Sequence, residues 1–356
     1  MADRIRRLTE RCGLAGSDGI LVHRPSNVFY LSGFTGEGQL VVSGKRRAIV
    51  TDFRYVEQAQ AQAPGYEVHS VTNDVNHAQL AAKLLKETGA ETVLYEDDFV
   101  TVREADRLAS ALGGIGMASL GNAPESLREI KDDAEIALLR KAFEISDEAF
   151  GYIVGVIREG LSETQVKRML EFRMLELGAQ EAAFATIVAS GPNGSLPHAI
   201  AGERTLKKGD LVTLDFGAKY GGYCADMTRT VAVGRPDSRM LEIFGLVLET
   251  QKACQDALAP GKACSQVDGI ARKIIGDAGY GDKFGHGLGH AVGIDVHENP
   301  RLNPRSPDTL QPGHVVTVEP GVYLPGLGGV RIENTCLITP AGAESLVASP
   351  RELQIL

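Results

Sequence analysis

Leu211-Val-Thr-Leu-Asp-Phe-Gly-Ala-Lys-Tyr-Gly-Gly-Tyr-Cys-Ala-Asp-Met-Thr-Arg-Thr230 reads as a β-hairpin, two arms rich in β-branched and aromatic residues meeting at a glycine-rich reversal. With the turn centred between Tyr220 and Gly221, Asp215 and Asp226 stand directly opposite on the two strands and share one face. A bulge at the glycine pair would shift that register. Two facing carboxylates repel unless a cation lies between them, and an unpaired charge inside a fold is among the costliest things it can hold.

A second pair obeys the same arithmetic. In Val316-Thr-Val-Glu-Pro-Gly321 and Gly329-Val-Arg-Ile-Glu-Asn334, Glu319 and Glu333 sit on strand-like runs equidistant from Gly326, inside the tip Leu324-Pro-Gly-Leu-Gly-Gly329. Upstream, Phe284-Gly-His-Gly-Leu-Gly-His-Ala-Val-Gly-Ile-Asp-Val-His-Glu-Asn-Pro300 sets His286, His290 and His297 among glycines, which disfavour a helical histidine pair but let the backbone crowd a site. Taken singly, each of these residues is more often structural; together they point to metal. Four carboxylates and one imidazole suit two divalent ions, and the oxygen-rich set favours manganese, cobalt or iron(II) over a structural zinc. A near-neutral centre of that kind turns a bridging water into hydroxide at neutral pH. Arg331 shares a strand face with Glu333, where it would pair with a carboxylate or with substrate.

Further out, Thr186–Ser190, Leu211–Ala218, Gly222–Val233, Val315–Val322 and Gly329–Ile338 read as strands returning by short turns. Helical patterns cover Lys131–Ile157, Ser238–Leu258 and Ser265–Ala278, and Ser162 with Gln165 has the spacing of a capping box. This describes an α+β catalytic domain over residues 123–356. Before it, strands at Gly19–His23, Gln39–Val42, Arg47–Thr51, Tyr66–Val71 and Thr92–Tyr95 alternate with helices, the pattern of a smaller α/β domain over 1–122. The turn-rich Leu120-Gly-Asn-Ala-Pro-Glu125 reads as the linker.

The totals narrow the class. At 356 residues, 43% hydrophobic and 23% charged, the chain has ordinary globular composition, and a net charge of −9 argues against a nucleic-acid partner. Five cysteines without close spacing point to neither a disulfide framework nor a thiolate zinc site. With no signal-peptide pattern and no bilayer-length apolar run, a cytoplasmic protein without a membrane partner is expected.

At these residues the chain resembles the pita-bread metallopeptidases, in particular the Xaa-Pro branch that includes aminopeptidase P and prolidase. Pro25–Gly36 and Thr51–Gln58 are similar to that family's amino-terminal domain, and Lys131–Arg140 to the start of its catalytic domain. The resemblance implies Asp215, Asp226, His290, Glu319 and Glu333 as metal ligands, with Asp226 and Glu333 bridging. It also implies manganese first, with cobalt, iron or zinc as alternatives. Glu319 would act as general acid and base, His198 would bind substrate, His297 would contact the scissile carbonyl or the departing nitrogen, and His286 would line the proline pocket. Arg331 completes the substrate side, and His314, which matches nothing, is left as a surface or strand residue.

The implied reaction is cleavage of the Xaa-Pro bond at the amino end of dipeptides or short peptides, with the dipeptidase slightly favoured over aminopeptidase P, in a homodimer. A methionine aminopeptidase shares the five-ligand pattern but lacks a domain like residues 1–122. A catalytically silent binding scaffold of the same fold would be expected to lose ligands, and none is lost here.

Overall fold

The structure, a computed structural model, describes residues 2–14 and 17–356. It falls into two compact units, the first ending at Arg128 and the second running over Glu129–Leu356.

The first unit contains strands β1 (Asp18–Val22), β2 (Gly38–Ser43), β3 (Arg47–Thr51), β4 (Glu67–Ser70), β5 (Thr92–Tyr95) and β6 (Gly116–Ser119). They form one mixed sheet in the order β4-β3-β2-β1-β5-β6, in which β1 pairs antiparallel with β2 and parallel with β5. Its helices are α1 (Ala2–Arg11), α2 (Pro25–Ser32), α3 (Val56–Gln62), α4 (His77–Thr88), α5 (Val102–Leu112) and α6 (Ala123–Arg128). The apolar faces of α4 and α5 bury Leu80, Leu84, Leu85, Leu108 and Leu112 against Leu21, Val41, Val50 and Val93 of the sheet. Both helices open with capping boxes, at Asn76/Gln79 and Thr101/Glu104, so pattern and caps agree there.

Helix α2 has no amphipathic signature, because it buries Ser26, Asn27 and Ser32. Polar partners compensate. The buried Glu96 carboxylate accepts hydrogen bonds from His23 N (2.5 Å), Arg24 N (2.7 Å) and Asn27 Nδ2 (2.6 Å), and an acid at a helix start also suits the dipole. The division between units falls six residues later than the expected 122/123, since α6 packs with the first unit. Tyr30 OH donates to Leu127 O at 3.0 Å, and Arg128 reaches Ser26 and Asn27.

The second unit opens with α7 (Asp133–Val154) and α8 (Glu163–Glu176), capped by Asp132/Glu135 and by the expected Ser162/Gln165. Strands β7 (Glu181–Ala182), β8 (Ile187–Ser190), β9 (Leu211–Phe216), β10 (Ala218–Tyr220), β11 (Tyr223–Cys224) and β12 (Met227–Ala232) follow. Helices α9 (Ser238–Asp256) and α10 (Cys264–Asp277) come next. The chain then forms β13 (Gly289–Ala291), β14 (Glu298–Leu302), β15 (Val315–Val318), β16 (Gly321–Leu324), β17 (Gly328–Arg331), β18 (Asn334–Thr339) and β19 (Gly342–Ser345). The sheets run β12-β9-β8, β11-β10-β7, β14-β13-β15-β18-β19 and β16-β17. Their inward apolar residues, among them Val316, Val318, Val330 and Ile338, share a core with Ile243, Phe244 and Val247 of α9 and Val267 and Ala271 of α10. The whole is the α+β arrangement expected.

What positions the site is where these strands break. The long arms expected at 211–218, 222–233, 315–322 and 329–338 are each split in two, and Asp226, Glu319 and Glu333 lie in the breaks. A residue between two ladders has backbone free to turn its side chain off the pleat. Among the described residues no helix is long and apolar enough to cross a membrane.

Candidate active site

The first hairpin is registered differently from the expectation. Tyr220 pairs with Tyr223 and Asp215 with Thr228, so the turn is Gly221-Gly222 and not one centred between Tyr220 and Gly221. Both glycines have positive φ, 57° and 84°, as a type I′ turn requires. Asp226 therefore stands two residues along from the partner of Asp215 and keeps the same face without direct opposition. A Cβ at Gly217 would run into the Ala225 carbonyl, which explains the glycine opposite Asp226.

The second hairpin has the expected register. Gly321 pairs with Arg331 in one ladder and Val318 with Asn334 in the next, leaving Glu319 and Glu333 facing across the break. The two hairpins are joined by Glu333 N donating to Thr228 O (3.0 Å), Thr228 Oγ1 to Glu333 Oε2 (2.7 Å) and Thr335 Oγ1 to Asp226 O (2.8 Å). The buried Arg229 fixes the same junction by donating to the Glu333 carbonyl and to Asn334 Oδ1.

His290 enters from β13, at a register shift between His290 and Ala291. Its Nδ1 lies 3.1 Å from the Ala291 carbonyl, and its Nε2 faces Glu319 Oε1 (3.3 Å) and Asp226 Oδ2 (3.6 Å). Asp226, His290 and Glu333 each present a buried ligand atom within 4.8 Å of the others, a grouping that could hold a metal ion. Asp215 and Glu319 join them on the wall of a cavity of about 460 Å³, together with His198, His286, His297 and Arg331. All nine residues singled out in the sequence thus face one space.

Two family profiles match the chain: metallopeptidase family M24 over residues 137–340, and the creatinase/prolidase N-terminal domain over residues 4–130. The chain belongs to metallopeptidase family M24. An Xaa-Pro dipeptidase of Pyrococcus furiosus is 36% identical to it over 99% of this chain and 100% of that one. Among solved structures, an Xaa-Pro dipeptidase from Bacillus anthracis is 42% identical, with a TM-score of 0.96 over 100% of this chain and 99% of the other. An X-Pro aminopeptidase from Thermotoga maritima is 34% identical, with a TM-score of 0.89 over 98% and 100%.

The donor set of this M24 metallopeptidase fits divalent cations. Burial, reinforced by the neighbouring acids, holds the carboxyls of Asp226 and Glu333 well above the usual carboxylate range, and burial raises Asp215 despite Arg331. Glu319 moves the other way: burial works against its charge, but the His290 hydrogen bond and the charges of His290, His286 and Arg331 outweigh it. Asp215 Oδ1 and Glu333 Oε1 are buried without hydrogen-bond partners among the described residues, the state of ligand atoms awaiting a cation.

Arg331 is committed elsewhere than to substrate. Its Nη2 meets Asp215 Oδ2 at 2.5 Å, while Nη1 reaches Tyr323 OH at 3.0 Å and Pro197 O at 3.3 Å. Of the two roles open to it, the structure favours pairing with a carboxylate. Tyr323, which the sequence reading passed over, also lies 2.9 Å from His286 Nε2. Strand alternation would have found it, because Tyr323 shares parity with Glu319. Burial lowers the pKa of His286, and burial with His290 and Arg301 nearby brings that of His297 down to about 4. His297 is therefore a neutral hydrogen-bonding group at pH 7. Of the two places expected for His314, surface or strand, the structure excludes the surface: it is only 2% exposed and immediately precedes β15.

Proposed function

We propose that this M24 metallopeptidase is a metal-dependent Xaa-Pro dipeptidase. The observation that carries the reading is the convergence of Asp215, Asp226, His290, Glu319 and Glu333 on one cavity whose remaining wall suits a proline dipeptide. At about 460 Å³ the cavity has the size of a small-molecule site. Phe184, Ile187 and Val296 offer apolar surface for a pyrrolidine ring. Arg301 lines the same space with no ion pair among the described residues, and burial draws its guanidinium pKa down. Arg301 is exposed as a whole residue, but a cation on the cavity wall that no carboxylate of the described residues engages suits a free carboxylate, which in a dipeptide lies on the proline itself. This favours dipeptidase over aminopeptidase action, and the names of the P. furiosus and B. anthracis relatives agree.

In this reading Asp215, Asp226, His290, Glu319 and Glu333 hold two divalent ions, with manganese the best match to their oxygen-rich donors. Bound there, the ions supply a water acidic enough to attack a peptide carbonyl at neutral pH. Glu319, the one carboxylate of the four whose pKa is lowered, would take the proton of the attacking water and return it to the proline nitrogen as the C–N bond breaks. That return matters because the leaving group is a secondary amine. His198 and His297, on the cavity wall, donate hydrogen bonds to the substrate. Arg331 holds Asp215 in place, and Arg301 receives the substrate carboxylate.

Manganese-loaded protein should hydrolyse Gly-Pro and Ala-Pro and leave a Xaa-Pro tripeptide largely intact. Glu319→Gln should lower kcat by about a hundredfold or more, the range for losing a general acid–base group. Arg301→Ala should raise KM for the dipeptides. Preference for the tripeptide would move the protein to aminopeptidase P, and preference for Met-Ala-Ser over proline substrates would overturn the reading.

A further inference from the structure

His198 sits on a segment with little support of its own. Between Ser190 and Gly202 the chain forms one short 3-10 turn and no ladder, and Leu196 and Ile200 are 57% and 88% exposed. Yet its position over the cavity must be defined if it is to meet a substrate, because small displacements of a binding group cost catalysis heavily.

The anchor is Glu163, the first residue of α8, whose side chain is fully buried. Its carboxylate takes hydrogen bonds from both ends of the segment. Oε1 accepts from Ser190 N at 2.8 Å and Ser190 Oγ at 2.7 Å, and Oε2 accepts from Gly202 N at 3.1 Å. Asn193 Nδ2 donates to both oxygens at 3.1 Å. An ordinary acid at a helix start serves that helix's own amides; here every one of these donors belongs to the segment that carries His198. On the cavity side a second tie completes the arrangement. Pro197 O accepts from Arg331, whose other hand is on Asp215, and Gly194 lies so close to Gly329 that a side chain at Gly329 would meet the Gly194 carbonyl.

We propose that Glu163 is a positioning residue for the reaction, holding both ends of the 190–202 segment so that His198 stands at a fixed place over the carboxylate cluster. The inference rests on the reading that His198 meets substrate. It assigns Glu163 no contact with substrate or metal.

Glu163→Gln tests it, because the exchange keeps the shape and changes the hydrogen-bond logic. All the donors need acceptors, and an amide offers only one oxygen, so its NH2 must face either Gly202 N–H or Ser190 N–H and one end of the segment is released. Hydrolysis of Ala-Pro would be measured for wild type, Glu163→Gln, His198→Ala and the double variant, with bound manganese and thermal unfolding recorded for each. The expected result is about a tenfold fall in kcat/KM for Glu163→Gln, expressed mainly in KM, with manganese content unchanged, and less than about a twofold further loss when the change is made in His198→Ala. Amide exchange at Ser190 and Gly202 should accelerate in the single variant. The same tenfold loss in the His198→Ala background, or no loss in wild type, overturns the proposal. Should Glu163→Gln fail to fold, Asn193→Ala removes only the side-chain tie, and its smaller loss must likewise vanish without His198. If the wild type cleaves a peptide other than Ala-Pro, the functional reading fails, and the same cycle on that peptide still decides the role of Glu163.

Discussion

At the scale of single residues, burial has opposite consequences in different places. Asp226 and Glu333 are held in a state that penalises their charge and invites a cation, whereas Arg229, just as deeply buried, meets carbonyls and an amide on every side. His314 shows burial without such compensation. Its Nδ1 accepts from Gln311 N at 3.1 Å, its Nε2 has no partner among the described residues, and burial, with Lys131 nearby, pushes its pKa down to about 4. A histidine with a folded-state value near 4 and an unfolded value near 6.5 binds fewer protons folded than unfolded between those limits. Its contribution to stability is therefore complete above pH 6.5 and lost as the pH falls toward 4. His314→Asn should flatten the decline of the unfolding midpoint across that window. An unchanged slope would show that His314 is not one of the groups responsible.

At the scale of elements, the hairpins show how far the residues alone could be read. The tip at Gly326 was legible because Glu319 and Glu333 count equally from it and both ladders keep that register. The tip at the glycine pair was misplaced because Tyr220, Gly221 and Gly222 all permit a reversal, and the choice is made by the two positive φ angles the pairing imposes. That Asp215 and Asp226 share a face survived, because the side-chain alternation holds at any even displacement along the strand. The strand breaks that carry Asp226, Glu319 and Glu333 were not legible at all: they come from one hairpin packing against the other, a long-range contact with no local signature. Helix α2 was missed for a related reason, its buried Asn27 being satisfied by Glu96 and Glu125 far along the chain. The close approach at Gly217 gives a direct test of the hairpin geometry. Gly217→Ala forces a Cβ onto the Ala225 carbonyl beside Asp226 and should cost about 1–3 kcal/mol as an overpacking change, with weaker metal binding. Full stability with unaltered metal affinity would mean that this approach is not what sets Asp226.

At the scale of the whole molecule, the family relationship spans both units, with profile matches over residues 4–130 and 137–340. The cavity lies in the second unit, where the segments that carry Asp226, His290 and Glu333 are joined in one hydrogen-bonded arrangement of β12, β13 and the β15–β18 hairpin. Arg331 and Tyr323 extend that arrangement to His286 and, through Pro197, to the segment that carries His198. The segment that carries His198 is thereby tied to the same scaffold as the carboxylate cluster. The most direct test is to load the protein with manganese, remove free ion and count what stays bound, in wild type and in Glu333→Gln, alongside Ala-Pro hydrolysis. The account predicts two ions per wild-type chain with hydrolysis, and loss of both binding and turnover in the variant. A wild-type protein that retains no divalent ion, or a variant that binds and cleaves as well as wild type, would contradict it.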